Sequence, residues 1–304
     1  MNRRCTVLGG LAAATALLVP ALPGPARAAT TADTTMAPPT VRVLPLGDSL
    51  TYGQGSSTGG GYRLPLRNLA AGQSRYTLDF VGSLANGSQP DPVHEGHAGY
   101  TIDRVRAGVD RWITAAQPDV ILLHIGVNDL NQGADPDQAA ERARTLLNRI
   151  FEMRPDVTVI MQGLVPTTPG WNNQDLTQAV TRYNQQLKAV EGTQQRQNRR
   201  FRFIDAPALT TLQQADATHP VQMTDGLHPN DQGYTRLAAA FFAALEQTRT
   251  AGWFTGGPAR PDQPRPTNTV HLQRVTGAGD LFNAEGDYSA GRWSGWVNQG
   301  ATQL

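Results

Sequence analysis

Two short polar segments in this chain carry side chains that could form a nucleophile and the base that activates it. The segment Gly47-Asp48-Ser49-Leu50 offers a serine hydroxyl, and Asp225-Gly226-Leu227-His228-Pro229 offers a histidine with a carboxylate three residues before it. A serine hydroxyl is a weak nucleophile until a neighbouring base takes its proton, and histidine titrates in the range that suits this task. The carboxylate can fold back on the imidazole ring and hold one tautomer. We therefore predict a catalytic triad of Ser49, His228 and Asp225.

Two further segments offer hydrogen-bond donors for a developing negative charge. They are His94–Tyr100, which contains Gly99, and Gly126–Asp129, which contains Asn128. The tetrahedral intermediate of acyl transfer needs N–H groups aimed at its oxyanion. We expect these donors to be the backbone N–H groups of Ser49 and Gly99 and the side-chain amide of Asn128.

The aspartates that neighbour these candidates have a different expected role. Asp48 precedes the nucleophile and Asp129 follows the candidate oxyanion amide. Short carboxylate side chains in such turns commonly accept hydrogen bonds from nearby backbone N–H groups. We interpret both aspartates as braces of their loops rather than as acids in the reaction.

Short apolar runs that alternate with helical patterns must position these segments. The runs of strand length are Val41–Leu46, Thr77–Val81, Val120–Ile125, Val157–Gln162 and Phe201–Ile204, and the helical patterns are Tyr62–Ala71, Ile102–Ala116, Asp137–Met153, Asp175–Val190 and Gln232–Gln247. Such alternation predicts an α/β fold with a five-stranded parallel sheet that helices cover on both faces. Ligands of such sheets bind beyond the carboxyl ends of the strands. All four polar segments follow strand ends, so we expect them to share one rim.

In their order along residues 41–250, the four segments resemble the four sequence blocks of the SGNH (GDSL) hydrolases. The run HEGHAGYTID at residues 94–103, together with Gly61-Tyr62-Arg63, is similar to carbohydrate esterase family three, the acetylxylan esterases. This resemblance implies a flavodoxin-like three-layer α/β/α sandwich, the same triad and the deacetylation of sugar esters. Arg63 and Tyr100 are candidate substrate contacts, with a packing role as the alternative for each.

The first 28 residues have the order of a secretory signal peptide. The pair Arg3-Arg4 precedes an apolar stretch at residues 7–19, and Ala26-Arg27-Ala28 supplies small residues at a plausible cleavage point. The apolar stretch is shorter than the ~20 residues that a membrane-spanning helix needs. We expect a secreted protein that is not attached to a membrane after cleavage, and that keeps no cysteine because Cys5 is the only one.

The chain outside the expected catalytic domain at 41–250 differs from it in amino-acid composition. Residues 29–40 are a Thr/Ala/Pro tether, and residues 251–268 are a Pro/Gly linker. Residues 269–304 carry aromatic side chains among glycines and resemble one blade of a tectonin-type or lectin β-propeller. A single blade cannot bury its own faces. This segment could bind sugar or be a non-functional tail; the sequence leaves both interpretations open, and we assign the segment no site.

Composition and motif spacing exclude several other functions. With a formal net charge of +1, the chain lacks the basic surface that nucleic acid requires. The loop Gly53–Gly61 lacks both phosphate-binding glycine patterns, so we expect no cofactor. His94 and His97 are one residue short of the zinc motif H-E-x-x-H, so we expect no metal. Ser57 matches G-x-S-x-G, but it lies in a Gly/Ser-rich loop rather than a strand-to-helix turn, so we do not assign it as the nucleophile.

The sequence therefore predicts a monomeric serine esterase that acts on acetylated polysaccharide, xylan in particular, or on small acyl esters. A short- to medium-chain lipase or arylesterase would use the same triad. It would need an apolar acyl groove, whereas the loops Gly53–Gly61 and Pro166–Asn173 are rich in Gly, Thr and Pro. A carbohydrate-binding protein with an inactive esterase body and a metal-dependent deacetylase are the alternatives from other classes.

Overall fold

The computed structural model describes residues 37–165, 175–254 and 256–257, and the backbone of three short strands beyond them. In residues 37–254 the strands are β1 (Thr40–Gly47), β2 (Thr77–Phe80), β3 (Leu84–Ala85), β4 (Val93–Gly96), β5 (Val120–His124), β6 (Thr158–Gln162) and β7 (Arg200–Ile204). The helices are α1 (Ser49–Tyr52), α2 (Arg63–Ala71), α3 (Ile102–Ala116), α4 (Val127–Asn131), α5 (Pro136–Met153), α6 (Thr177–Arg196) and α7 (Asp231–Thr250).

Strand β1 lies in the middle of a mostly parallel sheet. One edge of β1 pairs with β5, and β6 and β7 follow in parallel. Its other edge is shared by two strands in series: β2 pairs with Thr40–Val43, and β4 pairs with Leu46 and Gly47. The short strand β3 is antiparallel to β4. The α/β class and all five strand segments that the sequence predicts are confirmed.

Strand β4 corrects one expectation of the sequence analysis. His94, Glu95 and Gly96 belong to a segment expected to follow a strand end, but they are themselves paired in a strand and buried. Their polar side chains hide the strand from an apolar pattern, because hydrophobic periodicity is the main signal of a strand in sequence. The sheet therefore has two more strands, β3 and β4, than the sequence predicts.

Alternate residues of each strand face opposite layers of helices. In β5, Ile121 and Leu123 join the apolar cluster that includes buried residues of α3, α5 and α6. Val120 and Leu122 join the second cluster, which includes buried residues of α2 and α7. Helices on both faces explain why the central strands β1, β5 and β6 are mostly apolar, and they make the three layers that the resemblance implies.

The last helix begins beside the candidate histidine. Asn230 caps α7, because its side-chain oxygen accepts hydrogen bonds from the N–H groups of Gln232 and Gly233 at 3.0 and 3.1 Å. A side-chain cap of this kind satisfies N–H groups that have no partner inside the helix. The cap therefore determines where the segment Asp225–Pro229 ends.

The domain extends beyond its expected end at residue 250. Phe254 is buried in the cluster beneath α2 and α7. Gly257 exchanges two backbone hydrogen bonds with Thr40, at 3.2 and 3.1 Å. Phe254 and Gly257, expected in the linker, therefore pack on the catalytic domain.

Further along the chain, three short strands form an antiparallel sheet of order β10-β8-β9. They are β8 (Leu272–Val275), β9 (Leu281–Asn283) and β10 (Trp296–Asn298). The expected signal peptide, tether residues 29–36, the loop at 166–173 and the remainder of the linker lie outside the described residues. Among the described residues, the helices lack the length and the apolar composition that a membrane span requires.

Candidate active site

Ser49 lies where β1 ends and α1 begins. Its hydroxyl-bearing side chain is almost fully enclosed, with the residue 3% exposed. Asp48 caps the short helix through a 3.1 Å hydrogen bond that its Oδ1 accepts from the N–H of Leu50, in agreement with its expected bracing role. The turn therefore presents Ser49 at the carboxyl rim of the sheet.

The approach of the chain to this turn requires glycine at position 47. A Cβ on Gly47 would lie 2.1 Å from the carbonyl oxygen of His124 and 2.6 Å from Oγ1 of Thr51. The first of these is a backbone atom of the neighbouring strand β5, so it cannot move aside cheaply. Glycine thus allows β1 to stay paired with β5 up to position 47, two residues before Ser49.

His228 joins Ser49 to Asp225. Its Nε2 lies 3.0 Å from Oγ of Ser49, and its Nδ1 lies 2.8 Å from Oδ2 of Asp225. When Nδ1–H donates to the carboxylate, the unprotonated Nε2 faces the serine hydroxyl as an acceptor. The structure thus brings the three expected triad residues together in the order that general-base activation of a serine requires.

The Asp225–His228 pair is held within one short loop. Oδ1 of Asp225 accepts hydrogen bonds from the N–H groups of Leu227 and His228, at 2.9 and 2.7 Å. The N–H of Thr224 closes the loop on the carbonyl oxygen of His228 at 2.7 Å. The orientation of the imidazole relative to its carboxylate is therefore set locally.

The same contacts keep Asp225 ionised. Partial burial by itself raises the pKa of this carboxyl, but the hydrogen bond and charge of His228 and the two backbone N–H groups outweigh it and lower the pKa below its ordinary value. A carboxylate beside Nδ1 stabilises the imidazolium that forms when His228 takes a proton.

The candidate oxyanion donors lie on three neighbouring segments of the rim. The N–H of His97, after β4, donates to the carbonyl oxygen of Gly47 at 2.9 Å, and Asn128 in α4 donates its side-chain amide to the carbonyl oxygen of Tyr100 at 2.9 Å. The described residues supply no hydrogen-bond acceptor for the backbone N–H groups of Ser49 and Gly99. Those two N–H groups are thus available to a ligand.

Asp129 braces the same region, in agreement with the sequence analysis. Its Oδ2 accepts the N–H of Ile102, the first residue of α3, at 2.9 Å, and its Oδ1 accepts Nε of Arg142 at 3.1 Å. Burial raises the pKa of Asp129, and these two donors act in the opposite direction. The contact fixes α4 against the start of α3, which directly follows the Gly99–Tyr100 turn.

Arg63 does not have the surface that a substrate contact needs. Its side chain is fully buried, and burial lowers the pKa of its guanidinium to about 10. The acceptors of its hydrogen bonds are the carbonyl oxygens of Thr51, Tyr52, Gly59, Asn86 and Pro92 and Oδ1 of Asn86. The candidate role as a substrate contact is therefore corrected: Arg63 ties together the loops beside the nucleophile helix.

Tyr100 lies half-buried at the rim. Its ring stacks on the imidazole of His97, with centroids 4.6 Å apart, and the guanidinium carbon of Arg104 lies 5.6 Å from the Tyr100 centroid. Because its carbonyl oxygen accepts the amide of Asn128, Tyr100 adjoins the candidate oxyanion site. A substrate contact for Tyr100 stays a prediction.

Sequence reasoning missed the role of Glu95. This buried carboxylate accepts hydrogen bonds from the N–H and hydroxyl of Ser83, both at 2.7 Å, and lies 2.7 Å from Nε2 of His97. Its only sequence signal was its place between two histidines. In the described ranges, no three His, Cys, Asp or Glu side chains lie close enough to hold a metal ion.

The fold and the order of the rim segments define an enzyme class, the esterases and acylhydrolases. The chain belongs to the GDSL-like lipase/acylhydrolase family, whose model matches residues 46–236. That match ends well before residue 269, so the resemblance of residues 269–304 to a β-propeller blade receives no support from it.

Solved and curated relatives agree with this family. The structure of a Clostridium thermocellum family 3 carbohydrate esterase is 28% identical and covers 70% of this chain and 98% of its own, with a TM-score of 0.59. A family 3 carbohydrate esterase from Talaromyces cellulolyticus is 25% identical, covering 69% and 99%, with a TM-score of 0.52. A multidomain esterase of Ruminococcus flavefaciens is 28% identical over 252 residues, or 74% of this chain. The chain spans only 31% of the length of that multidomain relative.

Proposed function

We propose that this protein is a serine esterase that removes acetyl groups from polysaccharide, with Ser49, His228 and Asp225 as its triad. The observation that carries the proposal is the 3.0 Å contact between Nε2 of His228 and Oγ of Ser49, with Asp225 hydrogen-bonded behind the imidazole. The nucleophile Ser49 lies within hydrogen-bond distance of the base His228, and His228 lies within hydrogen-bond distance of the orienting carboxylate Asp225.

Acylation begins when Ser49 Oγ attacks the acetyl carbonyl and its proton passes to Nε2 of His228. The carbonyl π electrons move to oxygen, and the resulting oxyanion takes hydrogen bonds from the N–H groups of Ser49 and Gly99 and from the Asn128 amide. Collapse of this intermediate breaks the bond to the sugar oxygen, which receives the proton from His228. The products of this half-reaction are the free sugar hydroxyl and an acetyl-serine.

Deacylation repeats the same steps with water in place of the serine. His228 takes a proton from water as the resulting oxygen attacks the acetyl-serine, and the same three donors hold the second oxyanion. Ser49 then leaves and recovers its proton from His228, while acetic acid is released and ionises to acetate in water. Asp225 orients the imidazole and stabilises its charged form in both half-reactions.

The polysaccharide part of the proposal rests on the family 3 carbohydrate esterases to which this chain is similar. The described loop Gly53–Gly61 beside the nucleophile supports it, because this loop is built from Gly, Gln, Ser and Thr rather than apolar side chains. A medium-chain acyl group would need an apolar groove to leave water. The acetyl group of an acetate ester is too small to need such a groove.

We also propose that the enzyme is secreted and that residues 1–28 are removed on export. The order of basic, apolar and small residues supports this step. N-terminal sequencing of the protein from the culture medium of its own host tests it. A mature chain that begins at Ala29 or Thr30 is expected, and a cell-bound chain that begins at Met1 would contradict it.

Initial rates on p-nitrophenyl acetate, butyrate and octanoate and on acetylated xylan test the proposed activity. Wild type should prefer acetate and release acetate from xylan, and Ser49→Ala should be inactive on all four substrates. Ser74→Ala, an exposed serine on a loop away from the rim segments, is the matched control and should keep the wild-type rates. Preference for octanoate would replace the polysaccharide esterase by a lipase, and an active Ser49→Ala would overturn the mechanism.

A further inference from the structure

A strap of five residues, Gly53–Ser57, runs from the nucleophile helix to the histidine loop. It begins at α1, where the N–H groups of Gly53 and Gln54 both donate to the carbonyl oxygen of Ser49, at 2.9 and 3.0 Å. Two side chains from the C-terminal part of the catalytic domain's sequence hold the backbone of the strap. The hydroxyl of Tyr234 donates to the carbonyl oxygen of Gln54 at 2.6 Å, and Thr224 Oγ1 donates to that of Gly55 at 3.1 Å.

The middle of the strap lies directly against the base of the triad. A Cβ on Gly55 would lie 2.6 Å from the carbonyl oxygen of Pro229 and 3.1 Å from Cβ of His228. The φ angle of Gly55, 89°, is one that L side chains rarely adopt. The backbone of the strap therefore touches the residue whose distance from Ser49 decides the reaction.

The end of the strap is held by one carboxylate. Asp231, the first residue of α7, accepts hydrogen bonds from Oγ of Ser56 at 2.9 Å and from the N–H of Ser57 at 3.0 Å, and it accepts the hydroxyl of Ser57 as well. Burial alone raises the pKa of Asp231, but the two serines lower it overall, so the group is ionised at neutral pH. Hydrogen bonds to a charged acceptor are roughly twice as strong as neutral ones.

From these contacts we infer that Asp231 is a positioning residue for His228, acting through the strap Gly53–Ser57. This inference rests on the proposed triad. Asp225 and His228 are joined by bonds inside their own loop, so Asp231 does not set their mutual orientation. What the strap sets is the distance between that loop and Ser49, since it is bonded to both.

A loop that drifts from the nucleophile loses rate rather than substrate affinity. A misplacement of about 1 Å at reacting groups can cost on the order of 100-fold in rate. We expect Asp231→Ala to lower kcat on p-nitrophenyl acetate about tenfold or more, with KM within about twofold of wild type. Ser57→Ala removes one of the three bonds and should lower kcat about threefold, in the same direction.

The matched control is Asp137→Ala. Asp137 is also an aspartate in the first turn of a long helix, α5, and it also accepts hydrogen bonds from side chains of another element, Arg182 and Gln186. It should lose as much thermal stability as Asp231→Ala while keeping kcat within about twofold. Equal losses of kcat in the two variants would overturn the positioning role.

Two further readouts separate positioning from other effects. The midpoint of the pH profile of kcat/KM should be the same in Asp231→Ala and wild type, because the Asp225–His228 pair is intact; a shifted midpoint would mean that Asp231 acts through charge and would overturn the inference. Amide hydrogen exchange at residues 224–230 should be faster in Asp231→Ala. This measurement does not depend on activity, so unchanged exchange overturns the strap even if the protein proves not to be an esterase.

Discussion

The side-chain amide of Asn128 donates a hydrogen bond to the carbonyl oxygen of Tyr100 across 2.9 Å. This bond joins the segment after β5 to the turn after β4, and it uses one of the two N–H groups of the amide. The second N–H is turned by the same bond into a fixed direction. An amide held in this way can serve an oxyanion without reorganising at the moment of reaction.

Asn128→Ala should therefore lower kcat on p-nitrophenyl acetate about 10²- to 10³-fold, the usual cost of one oxyanion donor. KM should change little, because the donor acts on the charge that develops in the transition state. Steady-state kinetics with the purified variant measure both constants. Asn131→Ala, in the same short helix, is the control and should retain most of the wild-type kcat. A loss confined to KM would contradict the oxyanion role.

Asp225→Asn tests the orientation of the imidazole. An amide can donate to Nδ1 and so favour the tautomer with a proton on Nε2, which cannot accept the serine proton. We expect kcat to fall about 10³- to 10⁴-fold while the fold is retained. Circular dichroism checks that the fold is retained, and steady-state kinetics on the same preparation measure kcat. A variant with a rate within about tenfold of wild type would mean that another group orients His228.

The buried carboxyl of Asp48 should make stability depend on pH. Its burial and the nearby charge of Asp129 raise its pKa to about 7, against the opposing N–H of Leu50. The folded state therefore holds this proton when the unfolded state has lost it, and stability falls as pH rises from the unfolded pKa, 3.8, through about 7. Asp48→Asn keeps an acceptor for Leu50 but carries no titratable group.

Thermal unfolding of wild type and Asp48→Asn at several pH values measures this effect. Relative to wild type, Asp48→Asn should gain on the order of 1–3 kcal/mol between pH 5 and pH 8.5. Asp103→Asn, on an exposed carboxyl, supplies the baseline. Parallel curves for wild type and Asp48→Asn would show that Asp48 has the same pKa folded and unfolded.

Arg63 should matter for stability rather than for substrate. Its removal leaves several buried carbonyl oxygens without a donor, and each such loss costs about 1–3 kcal/mol. We expect Arg63→Ala to lose more than ~3 kcal/mol of unfolding free energy, measured by urea denaturation. Arg106→Ala, which breaks only an exposed contact with Asp103, should lose less than ~1 kcal/mol. A soluble, stable Arg63→Ala with a raised KM would restore the substrate role.

Tyr100 offers a test of the polysaccharide itself. Tyr100 adjoins the candidate oxyanion site, so we expect a bound polysaccharide to contact its side chain, whereas p-nitrophenyl acetate is too small to need that contact. Tyr100→Ala should lower kcat/KM on acetylated xylan several-fold more than on p-nitrophenyl acetate. Equal losses on both substrates would assign Tyr100 to packing against His97.

The ends of the five apolar strands could be read from the sequence because their signals are local, whereas the polar strand β4 could not. Val120 to His124 is an apolar run of strand length, and parallel strands bring their carboxyl ends to one rim, so Ser49 and His228 could be expected to meet. Their separation of 179 residues was no obstacle to that expectation.

The contacts of Arg63 and Asp231 could not be read in this way. Arg63 stands at the start of an amphipathic helix, where an arginine is ordinarily exposed, and only the packing of helix α1 and two loops around it buries its charge. Asp231 looks like an ordinary first-turn carboxylate of α7. Its partners Ser56 and Ser57 lie in a low-complexity loop, and no local pattern links the two segments.

One edge of β1 is occupied by β2 and β4 in series, with residues 81–92 between them. The register of β1 with β5 is therefore set on the opposite edge of β1 from these two short strands. Along that edge β1 pairs with β5 up to Gly47, so this pairing sets the height of the nucleophile independently of the two short strands. The stretch between β2 and β4 is held instead by Arg63, whose guanidinium donates to the carbonyl oxygens of Asn86 and Pro92. A change in its length would therefore disturb the loops beside the nucleophile helix before it disturbed the pairing of β1 with β5.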